Sequence, residues 1–195
     1  MPNPVTLRGH HVLLEPLRLE HATELWPAAS ERDLWRYMLF DVASPDDLRE
    51  WIRRRLEPAA AGTALPFLQR DAATGAAFGS TSIFDISPNR TMEVGHTWLG
   101  ASHRKTAANT EAKVLILGHC FDALGAIRVQ LKCDERNTRS RAAIERLGAR
   151  FEGILRNQMI LPDGHKRQAA IYSILDSEWP AVKARLETRL AAPPA

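Results

Sequence analysis

Alternation of apolar and polar residues is clearest between residues 127 and 133. There Ile127, Val129, Leu131 and Cys133 alternate with Arg128, Gln130 and Lys132. A period of two predicts a strand with one buried face. Further strands are predicted over residues 11–17, 65–70, 77–86 and 91–99, and two more flank the turn at residues 161–164. The pattern therefore predicts about seven strands.

Helical spacing occupies most of the remaining chain. Two helices are predicted between the first two strands, and Ser44 caps the second of them, ahead of Pro45 and two aspartates. Its predicted buried stripe is Leu48, Trp51, Ile52 and Leu56. The run 53–55, three arginines, is interpreted as the solvated face of that helix. Later helices are predicted over 109–124, 137–147 and the stretch that holds Trp179, Val182, Leu186 and Leu190.

The order of these elements sets the predicted topology. A helix separates the strands at 91–99 and 127–133, so this pair is expected to be parallel, because such a crossover needs a helix-length connection. The turn at 87–90 makes the strands before and after it antiparallel. We therefore predict an α/β (α+β) fold with a mixed, mostly antiparallel sheet flanked by helices. One domain is expected over 1–195, with a loose arm at 1–9 and a frayed tail at 191–195.

Composition narrows the class of protein. Hydrophobic residues make up 45% and charged residues 25% of the 195 residues, which excludes disordered, collagen-like and disulfide-scaffold chains. The sequence contains no run of 18 apolar residues, so no membrane span is predicted. Two cysteines indicate reduced thiols and a cytoplasmic protein. The net charge of +3 gives no argument for nucleic-acid binding, and the histidines show no metal-ligand spacing, so no metal is expected.

The first candidate binding site is a loop of small residues that leads into a long predicted helix. It comprises Arg104, Lys105, Thr106, Ala107, Ala108, Asn109 and Thr110. Unpaired N–H groups of a first helical turn, the helix dipole and two basic side chains together form a seat for phosphate or pyrophosphate. An ordinary helix start is the alternative. A second region holds Asn137, which can cap the next helix, and Ser140 one turn later.

These regions together resemble a known family. Glu93-Val-Gly-His-Thr-Trp-Leu99, the loop and helix from Arg104 to Lys113, Asn137-x-x-Ser140 and Arg146-Leu-Gly-Ala149 are similar to the GNAT N-acetyltransferases. The branch that the chain resembles is the RimJ/RimL-type, ribosomal-protein-acetylating one, whose typical ending matches Leu161-Pro-Asp-Gly164 and residues 172–179. The resemblance spans residues 8 to 190.

The resemblance implies acetyl-CoA as cosubstrate, lying where two parallel strands splay apart. Its pyrophosphate would contact the loop from Arg104 to Thr110, and Asn137 would contact the pantetheine arm. The family's two loop glycines correspond to Ala107 and Asn109, and Lys105 stands where a glycine is common. Ile144 replaces the tyrosine general acid of many members, which leaves Ser140 as the group near the sulfur.

Acetyl transfer to an amine needs a neutral amine, a stabilised carbonyl oxygen and a donor to the leaving thiolate. Backbone N–H groups at Trp98 and Leu99 are the predicted oxyanion donors, and Ser140 the donor to the thiolate. Glu93, acting through water, is the first choice as base and His96 the second. Because an odd number of positions separates them, a regular strand directs them to opposite faces. A salt bridge for Glu93 and a packed role for His96 are the alternatives.

The resemblance implies an amine acceptor and places the early helical segment at its site, so Trp35 and Tyr37 are predicted to contact it. Core or groove packing is the alternative for Trp35. At pH 7 an α-amine is neutral in about one molecule in seven and a lysine in about one in 2500. A weak base therefore favours a protein N-terminus. A small-molecule acceptor, a non-catalytic acyl-CoA sensor and a homodimer all remain open, and no membrane or nucleic-acid partner is expected.

Overall fold

The computed structural model describes residues 2–191, and an eight-stranded sheet runs through them in the order β1-β2-β3-β4-β5-β6-β8-β7. The strands are β1 (Leu7–Arg8), β2 (Val12–Pro16), β3 (Leu65–Asp71), β4 (Ala77–Phe84), β5 (Thr91–Leu99), β6 (Arg128–Asp134), β7 (Arg150–Ile160) and β8 (Lys166–Leu175). The helices are α1 (His21–Ala29), α2 (Pro45–Ala60), α3 (Ala107–Gly118), α4 (Thr138–Leu147) and α5 (Trp179–Ala191). None of these described helices has the length and apolar character needed to cross a membrane.

Local signals place most of these elements where the sequence predicts them. Ser44 accepts a hydrogen bond from the Asp47 amide over 3.1 Å at the start of α2, and Asn137 caps α4 by accepting from the Ser140 amide over 3.0 Å. Gly148 ends α4 with φ of 96°. The mixed sheet is confirmed, with β5 and β6 as its parallel pair.

Three boundaries differ from the prediction. The arm at 1–9 is not loose throughout, because Leu7 and Arg8 pair with β2 and add an eighth strand. The helix predicted to start at Asn109 begins at Ala107 and, after Gly118, continues as a π-helical turn. Of the predicted tail 191–195, Ala191 belongs to α5 and the rest lies outside the described residues.

Each face of the sheet covers its own apolar core. On one face, here called the α3 face, α3 and α5 bury residues such as Ile116 and Trp179 against β5, β6 and β8. On the other, the α2 face, α1 and α2 pack against β3 and β5 around a cluster of Trp35, Trp51 and Trp98, whose ring centroids lie 5.5 to 6.1 Å apart.

The parallel pair separates after a short contact. Three register pairs join β5 to β6, and the last is Glu93 with Gln130. Both strands continue, β5 to Leu99 and β6 to Asp134, with no further pairing to each other. The backbone edges facing this gap therefore have no partner from the opposite strand. A cleft opens between the carboxyl ends of the two strands.

A β-bulge changes the direction of side chains along the wall of this cleft. Ser82 pairs with Gly95 and Ser80 with Trp98, so two residues of β5 stand opposite one of β4. His96 is the bulged residue, with φ of 49°. Its ring stacks on Phe84 at 4.1 Å, although a regular strand would direct it to the other face.

Candidate active site

The start of α3 follows β5, one wall of the cleft, after a connection of seven residues. Thr106 is the N-cap, and its hydroxyl accepts from the Ala108 amide over 3.3 Å. The other N–H groups of this first turn have no acceptor within the helix, and the helix dipole adds partial positive charge there. Free amide groups therefore occur both in this first turn and along the unpaired strand edges.

The loop supplies its left-handed residue at Lys105, with φ of 63°. Ala107 and Asn109 lie inside the helical first turn, where ordinary backbone angles suffice. The absence of glycine at these two positions therefore imposes no strain, and Lys105 takes up the conformation for which glycine is usual.

Arg104 is held by its neighbours. Its Nε donates to the Leu99 carbonyl over 3.0 Å, and its Nη1 donates to Glu31 Oε1 over 2.8 Å. The guanidinium therefore ties the loop to the segment after α1. The role predicted for Arg104 at a pyrophosphate has to accommodate this existing ion pair.

Other predicted contacts lie on α3 and α4. Asn109 has a buried Oδ1 that receives no hydrogen bond from the described residues. Ser140 lies in the first turn of α4, near Cys133 at the end of β6. Burial raises the pKa of the Cys133 thiol more than Ser140 lowers it, which makes Cys133 a poor nucleophile. Ile144 is buried in the core.

Glu93 is at the point where the strands separate. Its side chain is 3% exposed, and Oε2 accepts from Gln130 Nε2 and from Lys132 Nζ, each over 2.9 Å. Burial raises the pKa of this carboxyl, and Lys132 partly opposes that shift. Oε1 receives no hydrogen bond from the described residues and lies 3.6 Å from the place a β-carbon would take at Gly95. The predicted salt bridge is present, and one oxygen stays free for a water.

His96 does not have the properties of a base. The bulge brings it to the face that holds Glu93, but its Nε2 lies 2.6 Å from Arg55 Nη1, a group that can only donate. Burial first, then Arg55 and Lys132, lower the pKa of His96 to about 3. The imidazole is therefore neutral, with its basic nitrogen occupied. We correct the prediction of His96 as a base to a packed, positioning histidine.

Arg55 is the main functional candidate that the sequence did not reveal. Arg53 and Arg54 are exposed and paired with Glu50, as predicted for a solvated face. Arg55 instead turns inward onto Trp51 and His96. Only its spacing four residues after Trp51, on the buried side of the helix, could have indicated this.

The two predicted acceptor contacts separate in the structure. Trp35 is 3% exposed, donates from Nε1 to the Ala29 carbonyl over 2.8 Å and packs in the tryptophan cluster. It is a core residue, and the prediction that it contacts substrate is wrong. Tyr37 is half-buried, and the guanidinium of Arg136 lies 5.6 Å from its ring centroid. This contact joins the α1–α2 segment to the end of β6, across the gap.

Two charged residues of α3 are also buried. Lys113 is 6% exposed and donates to Thr97 Oγ1 over 2.7 Å and to Thr81 Oγ1 over 3.2 Å. Glu111 accepts from the backbone amides of His10, His11 and Val12 at 2.6 to 2.8 Å. Glu111 thus fixes α3 to the start of β2. Within residues 2–191, no cluster of three or more His, Cys, Asp or Glu side chains could hold a metal ion.

Comparison with known proteins identifies a family to which this chain is similar. Residues 11–150 match the family model described as the acetyltransferase (GNAT) domain. The chain belongs to the GNAT acetyltransferase family. The predicted resemblance to this family is confirmed.

Relatives of this GNAT protein include acetyltransferases of several bacteria. A Bacillus subtilis (strain 168) protein named "Putative ribosomal N-acetyltransferase YdaF" is 26% identical over 178 residues, 88% of this chain and 93% of that protein. A GCN5-related N-acetyltransferase from Brucella melitensis is 33% identical, with a TM-score of 0.90 over 98% of this chain and 87% of that one. Mycobacterium smegmatis RimJ, solved with CoA-disulfide, is 24% identical and shares the fold, with a TM-score of 0.80 over 95% of this chain and 93% of that one.

Proposed function

We propose that this GNAT protein transfers an acetyl group from acetyl-CoA to a primary amine, in a complex that holds both substrates at once. The observation that carries the proposal is the separation of β5 and β6 after Glu93 and Gln130, with the amide-rich start of α3 following β5 along the chain. This arrangement offers an anion seat and an unpaired strand edge. Both fit a long molecule that has a pyrophosphate at one point and amides along its arm.

Acetyl-CoA, when bound, supplies an acetyl group held as a thioester. The N–H groups of the first turn of α3, from Thr106 to Thr110, would hold its pyrophosphate. Asn137 and Ser140 would face its arm from α4. The amides near Trp98 and Leu99 would stabilise the carbonyl oxygen, and Ser140 would donate to the leaving sulfur.

Glu93 is proposed to move the proton of the acceptor. Its free Oε1 would accept a proton from the amine through one water, while Lys132 and Gln130 fix Oε2. The raised pKa of the carboxyl makes it a stronger base than an exposed glutamate. A base of this strength suits an amine of low pKa, so we propose a protein or peptide N-terminal α-amine as acceptor.

Thiol release tests this proposal. The protein is mixed with acetyl-CoA and a panel of peptides and small amines, and free CoA is measured with a chromogenic thiol reagent. We expect release that depends on both substrates, fastest with α-amines. A rise in Tm with acetyl-CoA but no release with any amine would indicate a non-catalytic acyl-CoA sensor instead. Release with small amines alone would indicate a small-molecule acetyltransferase.

Location and assembly are part of the same proposal. The two free cysteines fit a reducing, cytoplasmic compartment. The edge strand β7 exposes four large apolar side chains, Phe151, Ile154, Leu155 and Ile160. An exposed apolar edge favours pairing with another chain, so we propose a homodimer, which light scattering on the purified protein tests directly.

A further inference from the structure

The α2 face of the cleft carries several charged side chains, and not all of them are paired. Glu93 is paired with Lys132 over 2.9 Å, and Asp134 is paired with Arg136 over 2.8 Å. Each of these two carboxylates therefore has its own hydrogen-bonded cation. Two further arginines, Arg55 and Arg167, remain without a carboxylate within 4 Å among the described residues.

Arg167 is the more unusual of the two because it is 8% exposed. Its Nη1 donates only to the thioether sulfur of Met159 over 3.4 Å, and its buried Nε has no partner among the described residues. Burying a guanidinium without an acceptor is costly. Asp134 and Glu93 act on Arg167 through space but accept no hydrogen bond from it. Its unused donors are therefore open to a further anion.

Strand register places Arg167 on the same face as the Glu93–Lys132 pair. Lys132 stands opposite Ile171 in the antiparallel β6–β8 pair, so both side chains lie on one face. Arg167 is four residues before Ile171 along β8 and therefore shares that face. Asp134 pairs with Ala169, two register positions nearer to Arg167, and lies on that face too.

Arg55 reaches the same region from α2. Its Nη1 lies 2.6 Å from His96 Nε2, and its buried Nε has no partner among the described residues. Its guanidinium carbon lies 5.4 Å from the centroid of the Trp51 ring. His96 stacks on Phe84, which pairs with Glu93 across β4 and β5. A continuous chain of contacts thus links Arg55 to Glu93 and Lys132.

We propose that Arg55 and Arg167 recognise a carboxylate on the acceptor, so that the amine acetylated by this protein belongs to a molecule with an acidic group near that amine. This inference rests on the proposed function and names its substrate class. Two unpaired arginines on the face that holds the proton-accepting Glu93 disfavour a purely cationic acceptor, such as a polyamine. A carboxylate would use the open guanidinium donors, which can bind both of its oxygens.

Matched peptides test the inference. The acceptors are Ala-Glu-Ala-amide, Ala-Gln-Ala-amide and Ala-Gln-Ala with a free carboxyl end, which share the same N-terminal residue. For the wild type we expect kcat/KM at least tenfold higher with either carboxylate than with the neutral peptide. A larger effect of the glutamate side chain points to an acidic protein N-terminus. A larger effect of the free carboxyl end points to short peptides or amino acids.

Two variants then identify the residues. Arg55→Gln and Arg167→Gln are each expected to reduce the carboxylate preference to threefold or less, mainly through KM, and to leave the KM for acetyl-CoA unchanged. Arg54→Gln and Lys166→Gln, exposed neighbours on the same elements, are the controls and keep the preference. Arg55 is partly exposed, so its variant stays informative if Arg167→Gln fails to fold, which circular dichroism and melting reveal.

A binding measurement separates this inference from the proposed function. Calorimetry compares the N-acetylated forms of the glutamate and glutamine peptides, which need no reaction. Tighter binding of the glutamate form, lost in Arg55→Gln, supports the carboxylate seat even if no amine is acetylated. If thiol release is equally fast with all three peptides, the inference of carboxylate recognition is wrong, and the transferase proposal is unaffected. Unchanged preference in both folded arginine variants also overturns the inference of carboxylate recognition.

Discussion

Glu93 and Lys132 form an ion pair of 2.9 Å across the point where β5 and β6 part. Glu93 is the last residue of β5 that pairs with β6, and its partner there is Gln130. Lys132 lies two residues beyond Gln130 along β6. The pair therefore joins the two strands by side chains just where backbone pairing ends. It holds one carboxylate oxygen in place and leaves the other directed at the space beside Gly95.

Replacing Glu93 by Gln tests its role as base. The amide keeps the shape and one acceptor oxygen, but it cannot take a proton. We expect kcat to fall about 100-fold or more while the KM for acetyl-CoA is unchanged. Steady-state thiol release measures this, and Glu57→Gln, an exposed carboxylate on α2, is the matched control. Equal rates in Glu93→Gln and wild type would exclude Glu93 as the base.

The pH dependence of the rate distinguishes Glu93 from His96. Since the pKa of His96 is lowered to about 3, this ring does not titrate between pH 5 and 8. The variant His96→Asn, with a residue that tolerates the left-handed backbone, is expected to keep the shape of the wild-type pH–rate profile over this range. Loss of an inflection between pH 6 and 7 in His96→Asn would restore the histidine as the base.

The buried Lys113 makes stability depend on pH in an unusual direction. Burial lowers its pKa to about 8, below the ordinary lysine value of 10.5. Between these two values the unfolded chain binds more protons than the folded one, so the free energy of unfolding rises with pH. We expect wild type to gain stability relative to Lys113→Met from pH 8 to 10, by roughly 3 kcal/mol at most.

Denaturant unfolding at several pH values measures this gain. Lys166→Met, which removes an exposed positive charge, is the control and is expected to leave the slope with pH unchanged. A constant difference between wild type and Lys113→Met across the range would show that the ammonium is not desolvated in the folded state.

Glu111 provides a test of how the loop is supported. Three backbone amides at the start of β2 donate to its two oxygens. Glu111→Gln leaves one acceptor oxygen and sets an NH₂ group against a donor, so we expect a loss of about 1–3 kcal/mol in the free energy of unfolding. Glu57→Gln again serves for comparison. A loss no larger than that of Glu57→Gln would mean that water replaces this carboxylate without cost.

Much of the fold could be predicted from the sequence because the patterns that indicate helices and strands are local. The alternation in β6, the caps at Ser44 and Asn137 and the stop at Gly148 each act within a few residues. The parallel pair followed from one crossover helix. The added strand β1 was missed because two residues are too few to show alternation. The turn between β1 and β2 is held by the Glu111 carboxylate, about 100 positions away.

The candidate site could be predicted less completely, because its geometry comes from tertiary contacts. The bulge at His96 arises from the register of β4 against β5, and without it Glu93 and His96 would face apart. The tryptophan cluster decides that Trp35 is core, and no single segment shows that cluster. Arg55 differs from Arg53 only in the side of α2 on which it lies.

Binding of acetyl-CoA, observed residue by residue, tests the central claim most directly. Backbone amide NMR of the labelled protein is recorded during titration with acetyl-CoA. We predict saturable shifts, one ligand per chain, concentrated at Ala107 and Asn109 and along β5 beyond Glu93. No saturable shift at millimolar ligand, or shifts confined to residues away from the gap between β5 and β6, would contradict the account.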